Sequence, residues 1–264
     1  MLRYLQYIKE SVEPVKFDDN ITQLLYDEKI SRVMDLISTG NYNRNGSSLN
    51  LYNSRTGDSL LYIAAFDGHY EVVEEMIKRG ADINIQNINI DTKEKGFTPL
   101  MGSIIYKKTL QLLLDNKADT NIIYNGIETV LTLTIVVVTS DKLGVIKNLI
   151  KYGANPNIEL PNYERNGGKE KKNPLTPFYV ACICPESIVL DVVKYLFEEC
   201  DANFIPECHE DCDARMKKYF ESEEFQRKLL ERNSGDVYKI ASFLNPKLKE
   251  TMPDNPILKQ AEWS

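Results

Sequence analysis

The segment CDANFIPECHEDCD, residues 200–213, gathers Cys200, Cys208, His209 and Cys212, three of the chain's five cysteines and one of its two histidines. Thiolates and an imidazole in tetrahedral array hold zinc, and a thiol beside an imidazole can act as a nucleophile. Neither interval between these cysteines is a strong zinc spacing, and no third residue can be named to orient a Cys–His pair. The expectation is semi-buried thiols in a linker, with no metal and no cofactor. The other histidine, His69, follows Gly68 at the start of a helix-like stretch, where a structural role is expected. NGGKEKK at 166–172 lacks both the spacing and the preceding strand of a phosphate-binding glycine loop. Its KEKK reads as a solvated hairpin tip. Acidic pairs are frequent but fall on the exposed faces of helix-like stretches, so no catalytic site is expected and the chain is read as not an enzyme.

Composition narrows the remaining classes. With 264 residues, 42% hydrophobic and 27% charged, the chain has enough apolar material for a sizeable core. A net charge of −7 and a pI near 5.1 disfavour a nucleic-acid or anionic-membrane binder, both of which need a basic field. No apolar run approaches the ~18 residues of a membrane span, and MLRYLQYIKESVEPV places charges inside any candidate signal core. Five cysteines, an odd number, fit reduced thiols better than a disulfide framework. A cytoplasmic monomer is expected, in the host cell cytosol if the protein is a secreted effector.

What must position any functional residue is a repeat. KRGADIN, NKADTNI, YGANPNI and ECDANFI each follow an apolar, helix-like stretch. Their marker asparagines, Asn84, Asn121, Asn157 and Asn203, lie 37, 36 and 46 residues apart, a solenoid period. In GDSLLYIAAFDGHYEVVEEMIKRGADIN, Ser59 caps a short helix with Leu60, Leu61, Ala64 and Ala65 on its apolar face. Gly68 ends it. A second helix carries Val72, Val73, Met76 and Ile77, and Gly80 closes its C-terminus. Neither helix can bury its apolar face alone, so copies must stack.

The unit resembles the ankyrin repeat, whose pattern runs G-x-T-P-L-H-x-A-A, then G-H, then paired apolar residues, then G-A-D-x-N. Gly57, Ala64, Ala65, Gly68, His69, Val72, Val73, Gly80, Ala81, Asp82 and Asn84 match in the first full copy. The second matches at Gly96, Thr98, Pro99, Leu100, Leu113, Leu114, Ala118, Asp119 and Asn121, with Pro99 at a first helical position where its missing N–H costs nothing. Weaker copies include Thr129, Leu131, Gly153, Ala154 and Asn157, then Thr176, Pro177, Ala181, Val192, Val193 and Asn203. The resemblance implies an all-α solenoid of helix-turn-helix units with β-hairpin finger loops. The expected organisation is an N-terminal helix and degenerate capping repeat over 1–50, four repeats over 51–203, and a helical C-terminal cap or extension over 204–264.

Several departures bear on this expectation. The usual histidine after the Leu is Tyr62, Met101, Thr132 or Tyr179, so inter-repeat hydrogen bonding at that position must differ. VLTLTIVVV at 130–138 is β-branched and would be a strand by propensity, but repeat context favours helix. Extra residues lie between Gly40 and Gly57, in IQNINIDTKEK, and in IELPNYERNGGKEKKN, where fingers are expected to project. Loops on a rigid scaffold carry recognition residues, although drift in loop length is the plainer reading. Residues 198–213 hold seven acids and no Lys or Arg, a solvated block or a docking strip. Beyond it, Phe225 and Leu229 mark one amphipathic helix, and Val237, Ile240, Ala241 and Leu244 another, stopped by Pro246.

The family resemblance implies a protein partner held by finger tips and concave face. The residues expected there are Arg55, Asp58 and Phe66, then Lys95, Phe97 and Tyr106, then Tyr124 and Asn125, then Lys172 and Leu175. Aromatic and basic side chains of this kind dominate interface energetics, although Phe66, Phe97 and Tyr106 could equally be core. The alternatives are an enzyme or metal-dependent factor with its chemistry in the C-terminal extension, and a microbial effector-type adaptor recruiting ubiquitin-ligase machinery, for which no box matches residue by residue.

Overall fold

The computed structural model describes residues 15–17, 21, 24–25, 29–39, 49–53, 55–88, 96–124, 126, 128–137, 140–160, 175–184, 189–204 and 207–232. The chain divides into two compact units, residues 1–125 and 126–264.

In the first unit, Ser59 and Thr98 each accept a hydrogen bond from the backbone N–H three residues on, starting α2 (Leu60–Phe66) and α4 (Pro99–Gly102). These inner helices pack on each other, while the outer helices α1 (Ile30–Ser38), α3 (Tyr70–Lys78) and α5 (Lys107–Asp115) pack in series behind them. Leu60, Leu61, Ala64, Ala65, Val72, Val73 and Met76 are buried, with Leu100, Leu110, Leu113 and Leu114 from the next copy. Small alanines on the inner helix let the layers approach closely. Gly68 and Gly80 take positive φ, 76° and 85°, at the two turns where the sequence reading required it.

The marker asparagines tie one copy to the next. Asn84 Oδ1 accepts the backbone N–H of Asp119 at 2.8 Å, and each Asp folds its carboxylate back on the residue two further along. The same bond runs from Asp82 N–H to Asn50 Oδ1 at 2.9 Å. Asn50 is therefore the marker of a copy ahead of the first full one, in the stretch where a degenerate capping repeat was expected. This corrects the placement of one insertion: the extra residues between Gly40 and Gly57 precede the turn asparagine, and from Asn50 to Gly57 the spacing is ordinary. One parallel pair was not foreseen, β1 (Val15–Phe17) against β2 (Leu51–Asn53), with Val15 opposite Leu51.

In the second unit α6 (Val130–Val136) and α8 (Pro177–Ile183) are the packed inner helices, and α7 (Lys142–Lys151) and α9 (Val189–Glu199) the outer ones. VLTLTIV is helical because Thr129 and Thr132 form a reciprocal capping box and the packing of α8 supplies what propensity does not. Asn157 bonds both Asp201 O and Asn203 N–H, repeating the asparagine bridge across 46 residues. Leu160 and Leu175, on either side of residues 161–174, pair as an antiparallel bridge. Three further helices follow, α10 (Glu207–Asp211), α11 (Ala214–Phe220) and α12 (Glu223–Arg232). Phe220 and Phe225 meet Phe204, and Phe225 lies 4.5 Å from Phe197, so an aromatic cluster joins them to α8 and α9. The second C-terminal helix expected around 237–244 lies outside the described residues.

Candidate functional site

The inner helices of all four copies leave one register uncovered. Seven residues after the capping Ser59, Thr98, Thr129 and Thr176 stand Phe66, Ile105, Val136 and Ile183, which are 52%, 56%, 42% and 39% exposed. Apart from Tyr106, these are the exposed large hydrophobic residues among those described. Single exposed apolar side chains are ordinary on a protein surface, but the same position left bare in all four of these copies is a pattern. In the first unit Phe66 and Ile105 carry it, and in the second Val136 and Ile183.

In the first unit an aromatic ladder extends from this register. The Phe66 ring lies 5.6 Å from Tyr62, Tyr62 lies 6.4 Å from Phe97 with planes 9° apart, and Phe97 lies 4.2 Å from Tyr124. α2 supplies the first two rings one turn apart. Phe97 precedes the Thr98 cap, where its carbonyl accepts the Asn87 N–H at the base of the 89–95 finger. Asn87 also accepts the Ser59 N–H and donates to Asp58 Oδ1 at 2.7 Å, fixing one finger base against the next. Gly102 supports the ladder from below: a Cβ there would come within 3.0 Å of the Tyr62 ring.

Two carboxylates stand close enough to act on the ladder. The Tyr62 hydroxyl is pushed up to about 12, first by burial and then by Asp58 and Asp67. Burial raises Asp67 itself, and its Oδ2 is enclosed with no hydrogen-bond partner. Among the described residues neither Asp58 nor Asp67 has a lysine or arginine partner.

The ten residues expected to bind a partner distribute as follows. Asp58, Phe66, Phe97 and Tyr124 come together at the ladder, joined by Tyr62. Arg55 is exposed in the turn of the first finger, its N–H bonded to Asn53 Oδ1. Tyr106 belongs to a different register: it occupies the His69 position of its own copy, begins α5, and lays its ring over Gly68, where a Cβ would meet it at 2.6 Å. The true counterpart of Phe66 is Ile105, which counting seven from the Thr98 cap finds and which reading from the paired alanines missed. Val136 and Ile183 were missed for the same reason. Leu175 is half-buried in the second unit, its carbonyl paired with Leu160. Lys95, Asn125 and Lys172 lie outside the described residues.

The cysteines divide, with Cys182, Cys208 and Cys212 near one another and Cys200 apart from them. Cys200 hydrogen-bonds with the Tyr195 hydroxyl, whereas Cys182 pairs with Cys208 inside the fold, and His209 Nε2 meets Glu221 Oε1 at 3.0 Å. Burial raises the Cys182 and Cys200 thiols and pushes Cys212 up to about 11. Thiolate, the form that attacks or ligates, is thereby disfavoured. Among the described residues no group of three or more His, Cys, Asp or Glu is arranged to hold a metal ion. The unusual tyrosines at the family's histidine position also have partners: Tyr62 joins the ladder and Tyr179 donates to Asp211 on α10.

Residues 21–124 match the family model described as ankyrin repeats, in three copies. Over those residues the chain carries ankyrin repeats. Three copies over that span include one ahead of the first read fully from the sequence, in agreement with the bond from Asn50. The match ends before the second unit, whose caps, paired helices and asparagine bridge continue the ankyrin architecture as an all-α solenoid. Ankyrin repeats are protein–protein interaction modules. No curated protein matches the chain. No helix among the described residues is long and apolar enough to cross a membrane.

Proposed function

We propose that this ankyrin-repeat chain is a non-enzymatic adaptor that captures a protein partner on the inner-helix surface, with the ladder of the first unit as its anchor. The observation that carries this reading is the bare register itself: Phe66 stays exposed at the end of α2, whose other residues are buried or, at Tyr62, stacked, and Ile105 stays exposed three residues beyond the wholly buried α4. A rigid scaffold offering aromatic side chains at low entropic cost is the composition of an interface hot spot. Disfavoured thiolates at Cys182, Cys200 and Cys212 lend no support to chemistry in the C-terminal extension.

The test is capture from native lysate by the full chain and by a Phe66→Glu/Ile105→Glu variant. Both side chains are exposed, so the variant should keep its melting temperature while losing the captured protein. Undiminished capture by the folded variant would move the binding surface elsewhere, to the acidic strip or the C-terminal helices.

A further inference from the structure

We propose that Cys182 and Cys208 form a redox-sensitive clasp: oxidation by a small disulfide such as glutathione disulfide joins their sulfurs and locks the start of the C-terminal extension onto the fourth copy. The placement follows from how α8 and α10 pack. Tyr179 and Cys182 stand about one turn apart on α8, as do Cys208 and Asp211 on α10. The two helices lie against each other, and the Tyr179 hydroxyl donates to Asp211 across the seam. In the antiparallel register that this bond sets, Cys182 faces Cys208 one turn along, and the two thiols share a hydrogen bond. Both are fully buried and both are free. Two cysteines facing each other across packed helices are the arrangement a disulfide requires. Cys212 instead donates to the His209 carbonyl at 3.5 Å and Cys200 bonds with the Tyr195 hydroxyl, which leaves Cys182 and Cys208 as the pair.

Burial sets the rate of this step. Thiolate is the attacking form, and an enclosed thiol ionises reluctantly, so the clasp closes only when α10 opens. Its five residues are too few to hold a helix alone, so α10 depends on its contacts and is the element that lifts away. One uncovered thiol loses its proton and attacks glutathione disulfide, forming a mixed disulfide and releasing one glutathione thiolate. As α10 returns, the thiolate of the other cysteine attacks the protein sulfur of the mixed disulfide and releases the second glutathione. One disulfide bond is broken and one is made, and the two electrons and two protons given up by the protein end on two glutathione thiols. The new bond closes a loop over residues 183–207 and so restricts the unfolded chain. Inside the fold it is shielded from external thiols. The cover over the fourth copy is therefore held more firmly in the oxidised protein.

The test incubates the folded full chain with glutathione disulfide, then denatures it, alkylates the remaining thiols and digests it without reduction. The expected result is one linked pair of peptides, carrying Cys182 and Cys208, with the other three of the five cysteines alkylated. The melting temperature should rise by about 5 °C or more and return to its starting value in dithiothreitol. Cys182→Ala and Cys208→Ala should each abolish both the link and the rise. Should either variant not fold, the peptide map of the unaltered chain still decides. The clasp is overturned if all five cysteines are alkylated after prolonged oxidation, if a glutathione adduct forms and does not resolve, or if the link joins any other pair. A link that forms only in urea, or one that leaves the melting temperature unchanged, overturns it as well. None of these results bears on partner capture through Phe66 and Ile105.

Discussion

Glycine at two similar turns does two different things. Gly80 has positive φ and nothing within 4 Å of the place a Cβ would occupy, so alanine there costs only the left-handed backbone, about 1–2 kcal/mol. Gly68 has the same conformation, but the Tyr106 ring fills the space a Cβ would take. Gly68→Ala should therefore cost about 1–3 kcal/mol more than Gly80→Ala, the overpacking of a close contact added to the same strain. Urea titration of the two variants checks this, and equal losses would mean that Tyr106 swings away freely. The same contact revises what Tyr106 is for. Its ring is part of the packing between copies, so its removal would be read in stability before it was read in binding. Asp67, the residue before Gly68, has an enclosed carboxylate oxygen without a hydrogen-bond donor, and burial raises its carboxyl while His69 lowers it.

Among the elements, α6 is the one whose sequence argues against its structure. Val130, Thr132, Thr134, Ile135 and Val136 all prefer strands. What nucleates the helix is local, a buried capping box in which Thr129 accepts from Thr132 N–H and Thr132 accepts from Thr129 N–H at 2.8 Å. Thr129→Val keeps shape and removes the cap, and should cost about 1–2 kcal/mol, measured as a shift in the unfolding midpoint. A loss below a few tenths would place the helix's stability wholly in its packing on α8. The helices were legible because caps, turn glycines and apolar faces are local signals. The exposed register was less so. Phe66 was found from its own copy, but Ile105, Val136 and Ile183 need the cap residue as origin, since the paired alanines that mark the first copy are Ser103 and Ile104, Thr134 and Ile135, or Ala181 and Cys182 elsewhere. The ladder was half legible: Phe97 and Tyr124 were among the residues expected to face a partner, with Phe97 equally a core candidate, and only the fold brings them to Tyr62. The copy ending at Asn50 was read only as a degenerate capping repeat, because extra residues precede that asparagine.

At the scale of the molecule, a solenoid must cover the apolar face of its last copy, and the second unit does so with α10, α11 and α12. Phe178 and Phe197 of the fourth copy are fully buried, in contact with Phe204 and Phe225. Arg232 at the end of α12 fastens the arrangement: it bonds the carbonyls of Phe197 and Ala202, pairs with Asp201 at 2.8 Å and lies 4.4 Å from the Phe197 ring centroid. Tyr219 donates to Glu198, and Tyr179 to Asp211, so part of the acidic block is occupied in holding the extension to the repeats. Deleting 204–264 would uncover Phe178 and Phe197, each worth about 1.5–3 kcal/mol of burial, and should lower the melting temperature on the order of 10 °C or cause aggregation. Arg232→Met, which keeps the bulk but releases both carbonyls, should lower it by a smaller amount without aggregation. A truncated chain that is soluble and melts where the full chain does would overturn the role of α10 to α12 as a cover and make them a separate module resting on the repeats.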